Sequence, residues 1–213
     1  MPGAQKKGPD WVLSDEKRRL DLLIATALLP VYVPAIAVGA SVMFLGDGKA
    51  PFFWQERIGM NHVPFKELRI RTMWDTRGRD ASRGSTDPRA PHRGQVLRKV
   101  TVDQFTELWS VYRKRMAITN PRPLLPYCRG RMRDVLTASE YTEWDWASTL
   151  GRPGMYSTFG NESIGLDAED EEQFLRRRRV CDVEDVVCAC LERDMKILGD
   201  TAKIGWSFVR PAS

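Results

Sequence analysis

Hydrophobic and polar positions along the chain fall into one long apolar run followed by shorter, periodic segments. The run is Leu20 to Gly46, and Asp21 is the only charged residue in its 27 positions. About 20 apolar residues suffice to cross a bilayer. Pro30 and Pro34 interrupt the run. Each removes a backbone donor and crowds the preceding turn, so a kinked helix is predicted. Hydropathy leaves three placements open: a helix that spans, a helix that enters one leaflet and returns to the same face, and a helix in a soluble core. Arg18 and Arg19 precede the run and further cations follow it, which places both flanks on the cytoplasmic side. The run is too long for a signal peptide and lacks a small-x-small cleavage site. The lead, Met1 to Asp15, is polar with Pro and Gly, and is predicted to be loosely packed.

Beyond the run the period shortens. Gly59 to His62 is a turn signal between two short β-like stretches, which predicts a hairpin. Leu68 and Ile70 alternate with Arg69 and Arg71, so both arginines are expected on one strand face. Phe52, Phe53 and Trp54 suit either a membrane interface or a core. Asp75 to Arg93 is polar and rich in Arg and Gly, the composition of a loop that is solvated or covers a ligand. Arg131 to Thr149 reads as mixed helix. Val180, Val183, Val187, Cys190, Leu191, Met195 and Leu198 recur at helical spacing, which predicts one last amphipathic element. The fold class is therefore α+β. The chain divides into a flexible lead (1–15), an apolar helix (16–47) and a second unit (48–213).

Charge adds a preference. The net charge is +5, which suits phosphates, nucleotides or anionic headgroups. The cations are dispersed among acids without an aromatic-interleaved basic stripe, so nucleic acid is a poor partner. Cys128, Cys181, Cys188 and Cys190 form no C-x-x-C pair, and His62 and His92 stand far apart. A zinc site is not expected. The last three cysteines lie in the apolar helical pattern, as small buried hydrophobes would.

The chemistry centres on Leu97 to Val111, L-R-K-V-T-V-D-Q-F-T-E-L-W-S-V. Thr101 and Gln104 have capping-box spacing, which predicts a helix start with Asp103 in its first turn. There the unpaired N–H groups and the helix dipole keep a carboxylate ionised. With Arg98 and Lys99 upstream, Asp103 suits a nucleophile towards phosphorus or a ligand to a phosphate-holding metal. An ordinary charged helix start has the same features. In N-P-R-P, two prolines fix the chain around Arg122 and project it at low entropic cost, as a phosphate grip requires. Paired guanidinium groups such as Arg69 and Arg71 suit a diphosphate.

In this order the segments resemble the bacterial sugar transferases, the monotopic phosphoglycosyl transferases. The landmarks are K-R-R-L-D-L-L-I before the proline-broken run, F-F-W-Q-E-R-I-G, P-F-K-E-L-R-I-R-T-M, D-P-R at Asp87 to Arg89, G-Q-V-L-R-K-V-T-V-D-Q-F-T-E-L-W-S-V, N-P-R-P-L-L-P, R-P-G and D-M-K-I-L. They cover Lys17 to about Phe208. The resemblance implies a re-entrant membrane helix broken at Pro30 and Pro34, a small β-hairpin, and amphipathic helices around an active site at the cytoplasmic face of the bacterial inner membrane.

It implies a mechanism as well. Asp103 would attack the β-phosphate of a UDP-sugar, release UMP, and pass the phosphosugar to undecaprenyl phosphate, a polyprenyl phosphate, in the lipid bilayer. Mg2+ would bind at Asp103. Arg69, Arg71, Arg98, Arg122 and Arg152 would face phosphates. The sequence departs from the family at Gln104, which replaces the second acid of an Asp-Glu pair. An amide cannot act as a base and gives a cation a weaker ligand. R-P-G-M-Y-S, with Tyr156 and Ser157, replaces R-P-G-I-T-G. Two expectations follow: a phosphoglycosyl transferase with altered dependence, or an impaired member that partners or regulates an active one as a heterodimer. A homodimer is also open.

Overall fold

The computed structural model describes residues 6–73, 91–99, 104–163 and 170–209, with backbone alone at 98, 99, 208 and 209. The long helix, α2, runs Asp15–Asp47 and contains both Pro30 and Pro34. Its ends follow from local chemistry. Ser14 caps the start by accepting the Lys17 N–H, and Asp15 and Glu16 lie in the first turn, where the dipole favours acids. Gly48 closes the other end with φ of 68°, a left-handed value that glycine adopts without penalty. Within the helix, Pro30 and Pro34 leave the carbonyls one turn back, of Thr26 and Pro30, without their usual donors.

The helix lies lengthwise on the rest of the chain. Ala25 and Tyr32 enter the main core with Leu108, Val111, Met116, Ile118, Met155 and Tyr156. Further along, Met43 packs with Ile70 and Leu97, beside Ala35 and Ile36. Both ends of α2 thus rest on the same body. Leu23, Val31, Val33, Val38, Phe44 and Leu45 on its other side are exposed.

The start of α2 is pinned by a buried ion cluster. Lys17 Nζ meets Asp21 at 3.1 Å and Asp194 at 3.0 Å, and donates to Thr119 Oγ1 at 2.6 Å. Trp11 Nε1 donates to Asp194 at 2.9 Å. The lead is consequently not loose where it is described. A short helix α1, Pro9–Val12, sends Trp11 and Val12 into a cluster with Ala147, Val186 and Ala189. Two bulky apolar side chains within a polar stretch outweigh its composition.

The predicted hairpin is present. Strands β1, Phe52–Ile58, and β2, Pro64–Ile70, pair antiparallel with Phe53 opposite Arg69 and Arg57 opposite Phe65. Asn61 and His62 make the turn at positive φ. Phe52 and Trp54 stand exposed.

After β2 come α3, His92–Lys99, and α4, Glu107–Tyr112. The helix start expected at Thr101 lies outside the described residues; α4 itself begins at Glu107. Then follow β3, Ala117–Thr119, α5, Pro126–Val135, and α6, Ala138–Leu150. Next is β4, Gly154–Tyr156, which pairs parallel with β3, Thr119 facing Tyr156. This pair explains the glycine of R-P-G: a Cβ at Gly154 would stand 2.2 Å from the Asn120 nitrogen.

The chain continues through α7, Thr158–Glu162, to α8, Glu171–Val187, and α9, Leu191–Val209. The single last element predicted from apolar spacing is therefore two helices. The break at Cys188 to Cys190 leaves Cys188 exposed rather than buried, while Cys181 is buried and Cys190 half-buried.

Replacing Lys17 by Met would leave Asp21 and Asp194 buried without their shared cation. A loss of about 3–5 kcal/mol is expected, measurable by denaturant unfolding in detergent micelles. A loss under about 1 kcal/mol, the scale of an exposed pair, would contradict this role.

Candidate functional site

Three segments, β2, the N-P-R-P turn and α4, converge on one buried carboxyl, Glu107 at the start of α4. Its side chain is 1% exposed. Arg69 from β2 donates Nη2–H to Glu107 Oε1 at 3.0 Å, and Arg122 from the N-P-R-P turn donates Nη2–H to the same oxygen at 3.0 Å. Arg122 also donates Nη1–H to Gln104 Oε1 at 2.7 Å. Behind them lies a second acid, Glu67, which accepts from Arg57 Nε at 3.1 Å. Arg57 and Arg69 both reach Gln55 Oε1, at 2.8 and 3.5 Å.

Each member is placed by its own element. On β2, positions 65, 67 and 69 share a face, so Phe65 enters the core while Glu67 and Arg69 follow it inward. Thr106 ties α4 to β2 by donating to the Leu68 carbonyl at 2.5 Å. The backbone of Arg122 is held from α8, where Arg178 Nη2 donates to the Arg122 carbonyl at 2.9 Å and Nε to Asp182 at 3.2 Å. Trp144 Nε1 secures Asp182 at 2.9 Å. The Arg122 side chain keeps 23% exposure, so the guanidinium is fixed yet reachable.

The apolar helix contributes one wall. Phe105, next to Gln104, stacks on Tyr32 with ring centres 3.6 Å apart. The hydroxyl of Tyr32, which lies between the two prolines, hydrogen-bonds that of Tyr156. Burial and the neighbouring Tyr32 push the Tyr156 phenol well up, so it stays neutral.

Not every predicted residue joins this cluster. Strand pairing ends at Ile70, and Arg71 turns instead to Asp47 at the end of α2, with Nη1 and Nη2 on its two oxygens at 2.7 and 2.8 Å. Arg71 thus locks the hairpin to the helix. Arg152 Nε donates to the Lys114 carbonyl at 3.1 Å. Asp103 and the side chain of Arg98 lie outside the described residues, as does most of the polar Asp75 to Arg93 loop. Glu67, Glu107, Arg57 and Tyr32 were not singled out from sequence. Helical spacing held a signal for Glu107: it lies one turn before Val111, on the core face.

Burial and the adjacent Glu67 carboxylate push Glu107 up to about 8, against the pull of Arg122 and Arg69. Glu67, beside Arg69 and Arg57, stays ionised, its carboxyl held below the usual range. At neutral pH the cluster therefore carries surplus positive charge at the surface where Gln104 and Arg122 emerge. Such a surface suits a phosphate or diphosphate.

The model of the family described as "Bacterial sugar transferase" matches residues 13–207. The chain belongs to the bacterial sugar transferase family. Among the relatives of this chain is an "Undecaprenyl-phosphate glucose phosphotransferase" of Komagataeibacter xylinus, 29% identical over 191 residues, covering 88% of this chain and 35% of the relative. Another is a "UDP-glucose:undecaprenyl-phosphate glucose-1-phosphate transferase" of Caulobacter vibrioides, 27% identical over 184 residues, 85% of this chain and 66% of the relative. The exopolysaccharide production protein ExoY of Rhizobium meliloti is 29% identical over 126 residues, 51% of this chain and 56% of the relative. The chain thus spans from about a third to just under two thirds of these relatives' lengths.

The proton on Glu107 has a sign that can be checked. The folded state holds it to about pH 8, whereas an exposed glutamate releases it near 4.5. Its stabilisation is thus complete below pH 4.5 and is lost as pH rises to about 8. Thermal unfolding from pH 5 to 8 is expected to show wild type losing stability relative to Glu107→Gln. A difference independent of pH would contradict the assignment.

Proposed function

We propose that this sugar transferase is a monotopic phosphoglycosyl transferase. It moves a phosphosugar from a UDP-sugar to a polyprenyl phosphate such as undecaprenyl phosphate, at the cytoplasmic face of the bacterial inner membrane, in the first step of glycoconjugate or exopolysaccharide synthesis. The observation that carries the reading is the Arg69–Glu107–Arg122 cluster at Gln104, one residue after Asp103, in a chain that matches its family nearly end to end. The activities for which the Komagataeibacter and Caulobacter relatives are named support the substrates.

In the reaction, an Asp103 oxygen bonds to the β-phosphorus as the bond from that phosphorus to the bridging oxygen breaks, and UMP leaves with that oxygen. A phosphate oxygen of the polyprenyl acceptor then attacks the same phosphorus, and the carboxylate of Asp103 is released. Arg69 and Arg122 hold the diphosphate and offset the charge that builds on the leaving group. Magnesium at Asp103 is implied by the family resemblance. Among the described residues no group of three metal-ligating side chains occurs. The Gln104 oxygen is taken by Arg122, and Glu67 and Glu107 are buried among guanidiniums. These donors do not fit a magnesium shell.

The acceptor lipid sets the role of α2. Both ends of the helix rest on the same body and its free side is apolar. A helix so anchored suits a re-entrant placement, entering one leaflet and returning, with Pro30 and Pro34 at the bend. Tyr32 between these prolines, stacked on Phe105, then joins the lipid side to the phosphate side. A second reading rests on Gln104: an impaired member that pairs with an active transferase.

Purified protein in micelles, incubated with a panel of UDP-sugars and undecaprenyl phosphate, is expected to release UMP. Asp103→Asn is expected to lower the rate by a thousandfold or more, on the order seen for lost nucleophiles. Absence of turnover across the panel, with activity gained on Gln104→Glu, would favour the second reading. An Asp103→Asn variant as active as wild type would end the first.

A further inference from the structure

Two carboxylate oxygens in the cluster, Glu107 Oε2 and Glu67 Oε1, are buried and receive no donor among the described residues. An unmet buried acceptor is costly, and two ionised carboxylates side by side repel. The remaining oxygens are satisfied: Glu107 Oε1 by Arg69 and Arg122, Glu67 Oε2 by Arg57. One proton between the two acids removes both defects at once.

We propose that Glu107 is a positioning residue that works as a neutral acid: its Oε2–H donates to Glu67, its Oε1 accepts from Arg69 and Arg122, and both guanidiniums keep their charge for the diphosphate of a nucleotide sugar. This rests on the phosphoglycosyl transferase reading. Arg57, Arg69 and Arg122 against a single Glu67 charge leave the cluster at +2, matching a dianionic diphosphate ester. With Glu107 ionised it would carry +1, and a second carboxylate would stand beside the incoming phosphate. Glu107 is thus the means by which the two arginines are held by a carboxyl group without being neutralised by it.

The groups facing Glu107 divide: burial and Glu67 favour the protonated acid, whereas Arg122 and Arg69 pull towards the carboxylate. From β2 come Glu67 and Arg69, from β1 Arg57, and from the turn after β3 Arg122. Tyr32 from α2 and Tyr156 from β4 bring hydroxyls that burial keeps neutral. Burial and Glu67 prevail and push Glu107 up to about 8. Binding of a dianion next to the acid raises its hold on the proton further, so diphosphate binding and protonation favour one another.

The test uses UDP as the probe and the full chain in detergent micelles, titrated by calorimetry from pH 7.5 to 9.5. Wild-type affinity is expected to fall above about pH 8, approaching tenfold per pH unit, the limit for one linked proton. Glu107→Ala is expected to bind UDP roughly tenfold or more weakly throughout, having lost the carbonyl that holds both arginines. Glu107→Gln presents an amide oxygen to the arginines and an N–H to Glu67. It is expected to rescue binding at pH 7.5 and to remove the alkaline fall.

The proposal is overturned if Glu107→Gln fails to rescue, or if it keeps the wild-type pH profile. Should Glu107→Ala fail to fold, the comparison of wild type with Glu107→Gln decides alone. Infrared spectroscopy gives a readout independent of ligand: a protonated-carboxyl carbonyl band in wild type, absent in Glu107→Gln. Its absence in wild type at pH 7 overturns the shared proton. The band without UDP binding in any variant overturns the diphosphate role and counts against the transferase reading.

Discussion

A single carboxyl oxygen, Glu107 Oε1, joins three parts of the chain. It accepts from Arg69 on the hairpin and from Arg122 on the N-P-R-P turn, and it belongs to the helix that follows Asp103. Gln55 also contacts Arg69 and Gln104 contacts Arg122, but Glu107 is the acid that meets both guanidiniums. Arginine in water is mobile, and its ordering costs entropy on the order of 2 kcal/mol. Here that ordering is built in before any ligand arrives. A preformed cationic site is what phosphoryl transfer asks of a protein, because the protein's share of that chemistry is largely position and charge.

The same frame extends to the lipid side. α2 is tied at its start by Lys17 and at its end by Asp47, through Arg71. Between these ties, Tyr32 reaches Phe105 and Tyr156. Movement of the helix middle would therefore be felt at Gln104, the neighbour of Phe105. Tyr156 ends strand β4, and its hydroxyl contact with Tyr32 ties that strand to α2.

The elements legible in the sequence were those that repeat a local rule. The Gly59 to His62 turn and the apolar run depend on neighbours a few residues away. The parallel pairing of β3 with β4 was not legible, since strands of three residues separated by two helices leave no periodic trace. The site was half legible. Arg69 and Arg122 were expected to face phosphates, yet the acids that hold them were passed over as ordinary charge. Glu67 sits in a strand whose alternation was read for its arginines alone. Arg71 shows the limit of that alternation: it follows the last paired residue and belongs to Asp47. The lead was misjudged by average composition, which hides the burial of Trp11 and Val12.

The central claim is that Arg69 and Arg122, held by one neutral acid, grip a diphosphate. Solid-state NMR on 15N-arginine-labelled protein in liposomes, with UDP bound, measures it directly through nitrogen–phosphorus dipolar coupling. The account predicts close phosphorus contacts for two guanidinium groups, one lost on Arg69→Lys and the other on Arg122→Lys. Coupling confined to other arginines and unchanged by both substitutions would contradict it.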